Sequence, residues 1–238
     1  MDKLISDFLK NIEFVVVSAA IAAGLFVIAK VVEHFLPARR AATSTRRITI
    51  IAICSAIATV LHLLDFSLPF LAPGFYKLDF SELPVMLCGF YLGPSATIVC
   101  EGLKIILKLL ISGTSTAFVG DFANFTVGCS LVLPATAIYH IRRTRGNAIW
   151  GLAIGTVALT VFGSAFNAIY LLPKFAALYG IPLEQIIAMG HTINPSITNV
   201  STFALLAVAP LNLIKGISVS LLTFLLYKRL ARPLFGKT

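Results

Sequence analysis

FYKLDFSELP, residues Phe75–Pro84, places Tyr76, Lys77, Asp79, Ser81 and Glu82 within seven residues, between two stretches suited only to lipid. An apolar run near Ile48–Leu64 precedes it, and another begins at Leu83. Polar groups inside hydrocarbon are costly, and where they occur they generally line a cavity or a pathway. The cluster therefore points to a mouth or pocket at a membrane surface, flanked by transmembrane helices.

Composition agrees. Hydrophobic residues make up 58% of the 238 and charged residues 12%, about half the charged share of an ordinary soluble domain. Several runs approach the roughly 20 apolar residues needed to span a bilayer as a helix. The ~10-residue alternating segments of a transmembrane barrel are absent. The expected fold class is all-α, a polytopic membrane helix bundle.

The formal charge of +9 raises nucleic acid as a partner, but its distribution argues otherwise. Arg39, Arg40, Arg46 and Arg47 share one linker, and Arg142, Arg143 and Arg145 another; Lys228, Arg229, Arg232 and Lys237 close the chain. Basic clusters beside apolar segments mark cytoplasmic loops, so no nucleic-acid contact is expected. Periodicity predicts helices near 13–36, 46–64, 82–98, 97–112, 121–141, 147–171 and 200–228. Reading Gly93–Pro94 as a tight turn between two short helices brings all basic clusters to one side. That arrangement gives seven helices in a cell membrane, with the N-terminus outside and the C-terminus cytoplasmic. Three segments then face outward: Asp65–Ser81, Ser112–Gly120 and Leu172–Asn199. The last carries Pro173, Pro182 and Pro195 and is a candidate lid.

Asp2, Lys3, Asp7 and Lys10 provide no positive n-region, so a cleaved signal peptide is not expected. Cys54, Cys88, Cys100 and Cys129 lack CxxC spacing and read as small core residues. No phosphate loop, HExxH or GxSxG occurs, and the four histidines have no ligand partner at helical spacing. The chain is expected not to be an enzyme and to hold no cofactor or metal.

Asn212 and Lys215, three residues apart in APLNLIKGISVS, share a helix face. A mid-helix lysine costs about 2.5–3.5 kcal/mol on insertion scales. Lys215 either snorkels or pairs with a carboxylate, or it serves a ligand. Pro210, just upstream, frees a carbonyl and bends the helix. Asn167 in FGSAFNAIYLLP supports either an interhelical hydrogen bond or a ligand contact, with Gly163, Ser164 and Ala165 leaving room beside it. In GDFANF, Asp121 and Asn124 open a helix, and Asp121 suits its positive end. The D-x-x-E spacing of Asp79 and Glu82 also fits a capping box. Glu101, Lys104 and Lys108 fall on one face as an intrahelical ion-pair set. Ala52 and Ala56 form a small-xxx-small face for internal packing or an outside partner.

Taken together, FYKLDFSELP, the Gly93–Pro94 turn, GTSTAFVGDFANF, the N-A-x-x-L-L-P of Asn167–Pro173 and the N-L-I-K-G of Asn212–Gly216 resemble the riboflavin-specific substrate-binding (S) components of energy-coupling factor transporters. The resemblance covers about residues 46–230. It implies a six-helix membrane subunit that captures riboflavin, with flavin mononucleotide (FMN) as a further candidate, and works with a transmembrane coupling protein and two cytoplasmic ATPases. It nominates Asn167, Asn212 and Lys215 for the polar edge of the isoalloxazine ring. Tyr76, Leu78 and Asp79 follow from the covering outer loop, and Ala52 and Ala56 from the coupling-protein interface. Asn124 joins them as a candidate contact, and Phe75, Phe118, Phe122, Phe125 and Phe166 as stacking surface. On this reading residues 45–238 form the six-helix domain. Residues 1–44, an extra transmembrane helix with Ala20 and Gly24 on one face and a basic linker, have no counterpart in the family.

Two alternatives stay open: an S component for thiamine, biotin or a folate, and a solitary ion-coupled carrier using Asp79, Glu101 or Asp121 as its proton site.

Overall fold

The computed structural model describes residues 12–37 and 43–235. Asp2, Lys3, Asp7, Lys10, Arg39, Arg40 and Lys237 lie outside the described residues, as does the Arg232 side chain. In chain order the elements are α1 (Ile12–Phe35), α2 (Ser44–Leu63), β1 (Phe66–Ser67), β2 (Lys77–Leu78), α3 (Glu82–Leu92), α4 (Pro94–Ser112), α5 (Val119–Ile141) and α6 (Arg145–Phe166). After a π-helical turn, Asn167–Leu171, come α7 (Leu172–Tyr179), α8 (Leu183–Ile193) and α9 (Val200–Phe203). A second π-helical turn, Ala204–Val208, leads into α10 (Ala209–Phe235).

Among the described residues, five segments are long and apolar enough to cross a membrane, namely α1, α2, α5, the continuous rod Arg145–Tyr179 and the rod Val200–Arg229. The chain is a multi-pass membrane protein. The predicted helix 82–98 stops early, at Leu92, because Gly93 adopts φ +111°, a conformation costly for any residue with a Cβ. Pro94 then opens α4, where its missing N–H would have no helical partner anyway. Two helices, not one broken segment, meet at this turn. At 1.5 Å per residue α3 is only roughly 16 Å long, too short to span a bilayer of ~30 Å. It is a buried core helix, with Val85, Met86, Leu87, Cys88 and Phe90 packed among α2, α4, α5 and α10.

Close helix approach is built from small residues. A Cβ on Gly151 would lie 2.6 Å from the Ala135 carbonyl oxygen, and one on Gly155 2.5 Å from that of Leu131. These two glycines, one turn apart on α6, let the α5 backbone sit against them. All four cysteines are free and buried.

Each π-helical turn begins six residues before a proline, Asn167 before Pro173 and Ala204 before Pro210. A helical proline lacks its N–H and crowds the preceding turn. Here the chain widens: the Leu172 N–H reaches Asn167 O and the Ala209 N–H reaches Ala204 O. The bend expected from Pro210 is thus a wider turn that keeps the rod continuous. Such bulges commonly mark functional sites.

One end of the bundle gathers the basic linkers. Arg47 donates to Ser95 Oγ at 2.8 Å, Arg46 lies over the Tyr91 ring, and Arg143 donates to the Tyr91 carbonyl at 3.3 Å. Phe90 and Tyr139 stack at 4.2 Å beside Tyr227 of α10. The opposite end carries a short antiparallel ladder, with Phe66 paired to Leu78 and Ser67 to Lys77. It also carries the Gly113–Phe118 loop and the α7–α8 pair. The expected lid, Leu172–Asn199, is therefore largely helical, and its Leu172, Ile186 and Ile197 form one apolar cluster with Tyr76 and Phe203. The extra helix α1 packs on α4 and α5 through Ala29, beside Ile98, Ile105 and Phe125.

Candidate functional site

A cavity of about 350 Å³ opens at the ladder end of the bundle, within the range of about 300–1,000 Å³ usual for small-molecule sites. Six of the seven nominated ligand residues line it: Tyr76, Asp79, Asn124, Asn167, Asn212 and Lys215. Leu78 does not. It is buried, and its backbone pairs with Phe66 in the ladder. Among the nominated phenylalanines only Phe75 reaches the cavity. Phe118 and Phe125 are packed inside, while Phe122 and Phe166 pack edge to face on each other at 6.3 Å.

The two widened turns aim the deep polar groups. Asn167 opens the first, and Asn212 follows the second by one helical turn. The Asn167 amide donates to the Gly163 carbonyl at 2.7 Å, and its Oδ1 accepts from the Tyr76 hydroxyl at 2.8 Å. An amide has two donors and two acceptor sites, so one N–H and one lone pair of Asn167 remain for a ligand. Asn212 is 7% exposed, and its Nδ2 has no hydrogen-bond partner. A Cβ on Gly163 would sit 2.6 Å from that nitrogen, so the missing side chain makes room for the amide. A buried, unpaired amide costs about 1–3 kcal/mol, a cost that an acceptor brought into the cavity would offset.

Lys215 faces two ways. Its Nζ donates to Glu82 Oε1 at 2.9 Å and to Asp79 Oδ2 at 3.2 Å, leaving a third N–H for the cavity. Snorkelling is excluded by this geometry, and pairing and cavity lining hold together. Asp79 and Glu82 form no capping box: Ser81 is the α3 N-cap without a side-chain cap bond, and Asp79 Oδ1 accepts from the Ser81 N–H at 2.8 Å. Burial alone would raise the Asp79 carboxyl. Lys215, His62 and Lys104 outweigh it and hold the group well below the usual carboxylate range. Burial pushes the Tyr76 phenol up, so it stays a neutral hydroxyl.

Behind the cavity wall the charges continue. Lys104, fully buried, donates to Glu101, to Ser81 Oγ at 3.0 Å and, at 3.5 Å, to Glu82. The Glu101–Lys104 pair is thus intrahelical as expected, but it is also tied to α3 and through Glu82 to α10. Lys108 leaves that set and donates to Asp121 Oδ1 at 2.7 Å. Asp121 does lie in the first turn of α5, yet its oxygens go to Lys108 and to the Thr114 hydroxyl, which donates at 2.8 Å. Thr114 Oγ1 in turn accepts from the Phe118 N–H at 3.0 Å. That contact holds a loop in which Ala117 and Phe118 take positive φ of 46° and 71°, a strain that such bonds must sustain.

Several lining residues carried no local signal: His62, whose Nδ1 lies 3.4 Å from Asp79 Oδ2, and Phe175 and Tyr179 from the lid. Their contribution depends on chain segments meeting across the fold. Ala52 and Ala56 lie away from the cavity, exposed on the outer face of α2 beside Ile53, Ile57 and Val60.

The profile of the family described as "ECF transporter, substrate-specific component" matches residues 46–227. The chain is 39% identical over 186 residues to the riboflavin transporter RibU of Staphylococcus aureus (strain TCH60), covering 78% of this chain and 90% of that one. It is 29% identical over 187 residues to the riboflavin transporter FmnP of Bacillus subtilis (strain 168), covering 78% and 92%. A solved S component of a bacterial ECF transporter superimposes with a TM-score of 0.64 at 37% identity, covering 81% of this chain and 99% of the other.

Proposed function

Because the chain belongs to the substrate-specific components of ECF transporters, we propose that it captures riboflavin in the cavity between its two widened helical turns. Riboflavin is a flat, uncharged molecule with one hydrogen-bonding edge and a hydroxylated tail. The observation that carries the reading is the convergence of Asn167, Asn212 and Lys215 on one cavity, with the Asn212 amide buried and unpartnered. Tyr76, Asp79 and Asn124 complete the polar lining, and Phe75 offers a ring face at the mouth. Leu78 acts by holding the ladder that carries Tyr76.

In this reading the ladder end faces the exterior and the arginine-rich end the cytoplasm, as the positive-inside rule requires. The chain is a transport protein rather than an enzyme. Uptake is driven by two partner ATPases through a coupling protein, which docks on the exposed Ala52–Ala56 face of α2. Helix α1 packs on α4 and α5 and leaves that face open. Asp79, Glu101 and Asp121, the carboxylates a proton-coupled carrier would use, are each paired with a lysine, which favours the binding subunit over a solitary carrier.

Quenching of flavin fluorescence by the purified protein tests the assignment. Saturable quenching at or below micromolar riboflavin is expected, and its absence removes the vitamin from this site.

A further inference from the structure

The arginine-rich end of the bundle converges on one short segment, Tyr91–Ser95, where α3 gives way to α4. Arg46 lies over the Tyr91 ring at 5.6 Å, Arg47 donates to Ser95 Oγ at 2.8 Å, and Arg143 donates to the Tyr91 carbonyl at 3.3 Å. Arg142 and Arg145, both exposed, flank Arg143 in sequence. Two separate segments, the first turn of α2 and the stretch just past α5, thus deliver guanidinium groups to the same turn.

Carboxylates do not follow them. Among the described residues neither Arg46 nor Arg47 has a carboxylate within ion-pair distance. Glu33 of α1 does reach the turn, but it is committed elsewhere. Its Oε1 accepts from the Ser95 N–H at 2.9 Å, and its Oε2 lies 3.7 Å from Lys30. Arg46 and Arg47 are therefore positioned by neutral groups and keep most of their N–H donors for an acceptor from outside. A planar guanidinium matches the paired oxygens of a phosphate group. Beside the turn Ile48, Ile141 and Trp150 are exposed, apolar surface on which acyl chains can lie, with a tryptophan suited to the headgroup level.

We propose that the guanidinium groups around the α3–α4 turn hold the phosphate headgroup of an anionic phospholipid, with its acyl chains on the neighbouring apolar side chains. The phosphate belongs to a lipid because the exposed apolar residues continue directly from the arginines along α2, α5 and α6. General attraction of basic loops to an anionic leaflet depends only on how much charge the end carries. A seat at this turn depends on Arg46 and Arg47 in particular. The inference is independent of what the cavity at the opposite end binds.

Native mass spectrometry of the purified full-length protein in neutral detergent, titrated with phosphatidylglycerol or phosphatidylcholine, tests it. Phosphatidylglycerol should bind at least about tenfold more tightly. Arg46→Gln with Arg47→Gln should remove most of that preference. Arg46→Lys with Arg47→Lys, which keeps the charge but loses the planar fork, should retain only part of it. Lys228→Gln with Arg229→Gln removes as much charge from α10, where both side chains are exposed, and should leave the preference nearly intact. If the paired glutamine variant at 46 and 47 does not fold, Arg46→Gln alone decides. Equal binding of the two lipids, or an equal loss in both paired glutamine variants, would overturn the proposal. So would displacement of phosphatidylglycerol by inorganic phosphate at the same concentration.

Discussion

The Tyr76 hydroxyl donates to Asn167 Oδ1 at 2.8 Å, joining residues 91 apart in sequence and drawing the first outer segment across the cavity. Both groups are buried, and the bond links that segment to the α6 rod at the site. Tyr76→Phe leaves the ring packing on Phe203 in place and removes only the donor. A net hydrogen bond is worth about 0.5–1.5 kcal/mol. Riboflavin dissociation measured by stopped-flow fluorescence should therefore quicken about two- to tenfold, and an unchanged rate would show that the link does not hold the ligand in.

Asn212→Ala and Lys215→Ala should each weaken riboflavin binding by roughly tenfold or more, because each leaves a polar ligand atom unpaired. Equilibrium titration of flavin fluorescence checks this. Unchanged affinity in both places the pocket elsewhere.

Gly163 and Gly155 separate binding from folding. A Cβ at 163 meets a side-chain amide, Asn212 Nδ2, whereas one at 155 meets a backbone oxygen of α5. Gly163→Ala should displace the amide and lower affinity with a modest loss of thermal stability. Gly155→Ala should lower the melting temperature more, since the helices themselves must move apart. Thermal melts in detergent alongside binding titrations measure both, and the reverse ranking counts against the packing described.

The buried set holds three carboxylates, Asp79, Glu82 and Glu101, against two lysines, Lys104 and Lys215, with the His62 ring beside Asp79. Removing a cation deepens the imbalance, and removing a carboxylate relieves it. Lys104→Met should cost about 3–5 kcal/mol, the usual penalty for breaking a buried pair from one side, and Glu101→Gln distinctly less. Comparable melting temperatures for the two variants would contradict this charge count.

Bulky substitution at the α2 surface probes the partner. Ala52→Leu together with Ala56→Leu should abolish co-purification with the coupling protein, because small residues are what let helix backbones approach. Riboflavin binding by the isolated subunit should persist, since neither alanine lines the cavity. A complex that still assembles would assign the face to lipid.

The long helices were readable from apolar run lengths and the break at Gly93–Pro94 from the chemistry of those two residues, but the lid helices α7 and α8 were not. Most candidate site residues were readable too, because an amide or an ammonium in an apolar helix stands out by its cost. Leu78 and the four phenylalanines away from the cavity show the limit of that signal. An apolar residue in an apolar chain is equally at home in core, cavity or lipid. His62, Phe175 and Tyr179 were silent for the same reason, since nothing local says which way a side chain in a distant segment will face.

Composition and the spacing of basic clusters were enough to require a multi-pass helical bundle with its arginines at one end, because hydrocarbon penalises exposed backbone and charge whatever the packing. Which charge meets which was decided only in three dimensions. Lys215 finds Asp79 across 136 residues, and Asp79 and Glu82, spaced as a cap, both pair with lysines, while the second Asp79 oxygen accepts from the Ser81 N–H. A buried charge accepts whichever opposite partner the fold brings within reach, and that distance is a property of helix packing, not of spacing along the chain.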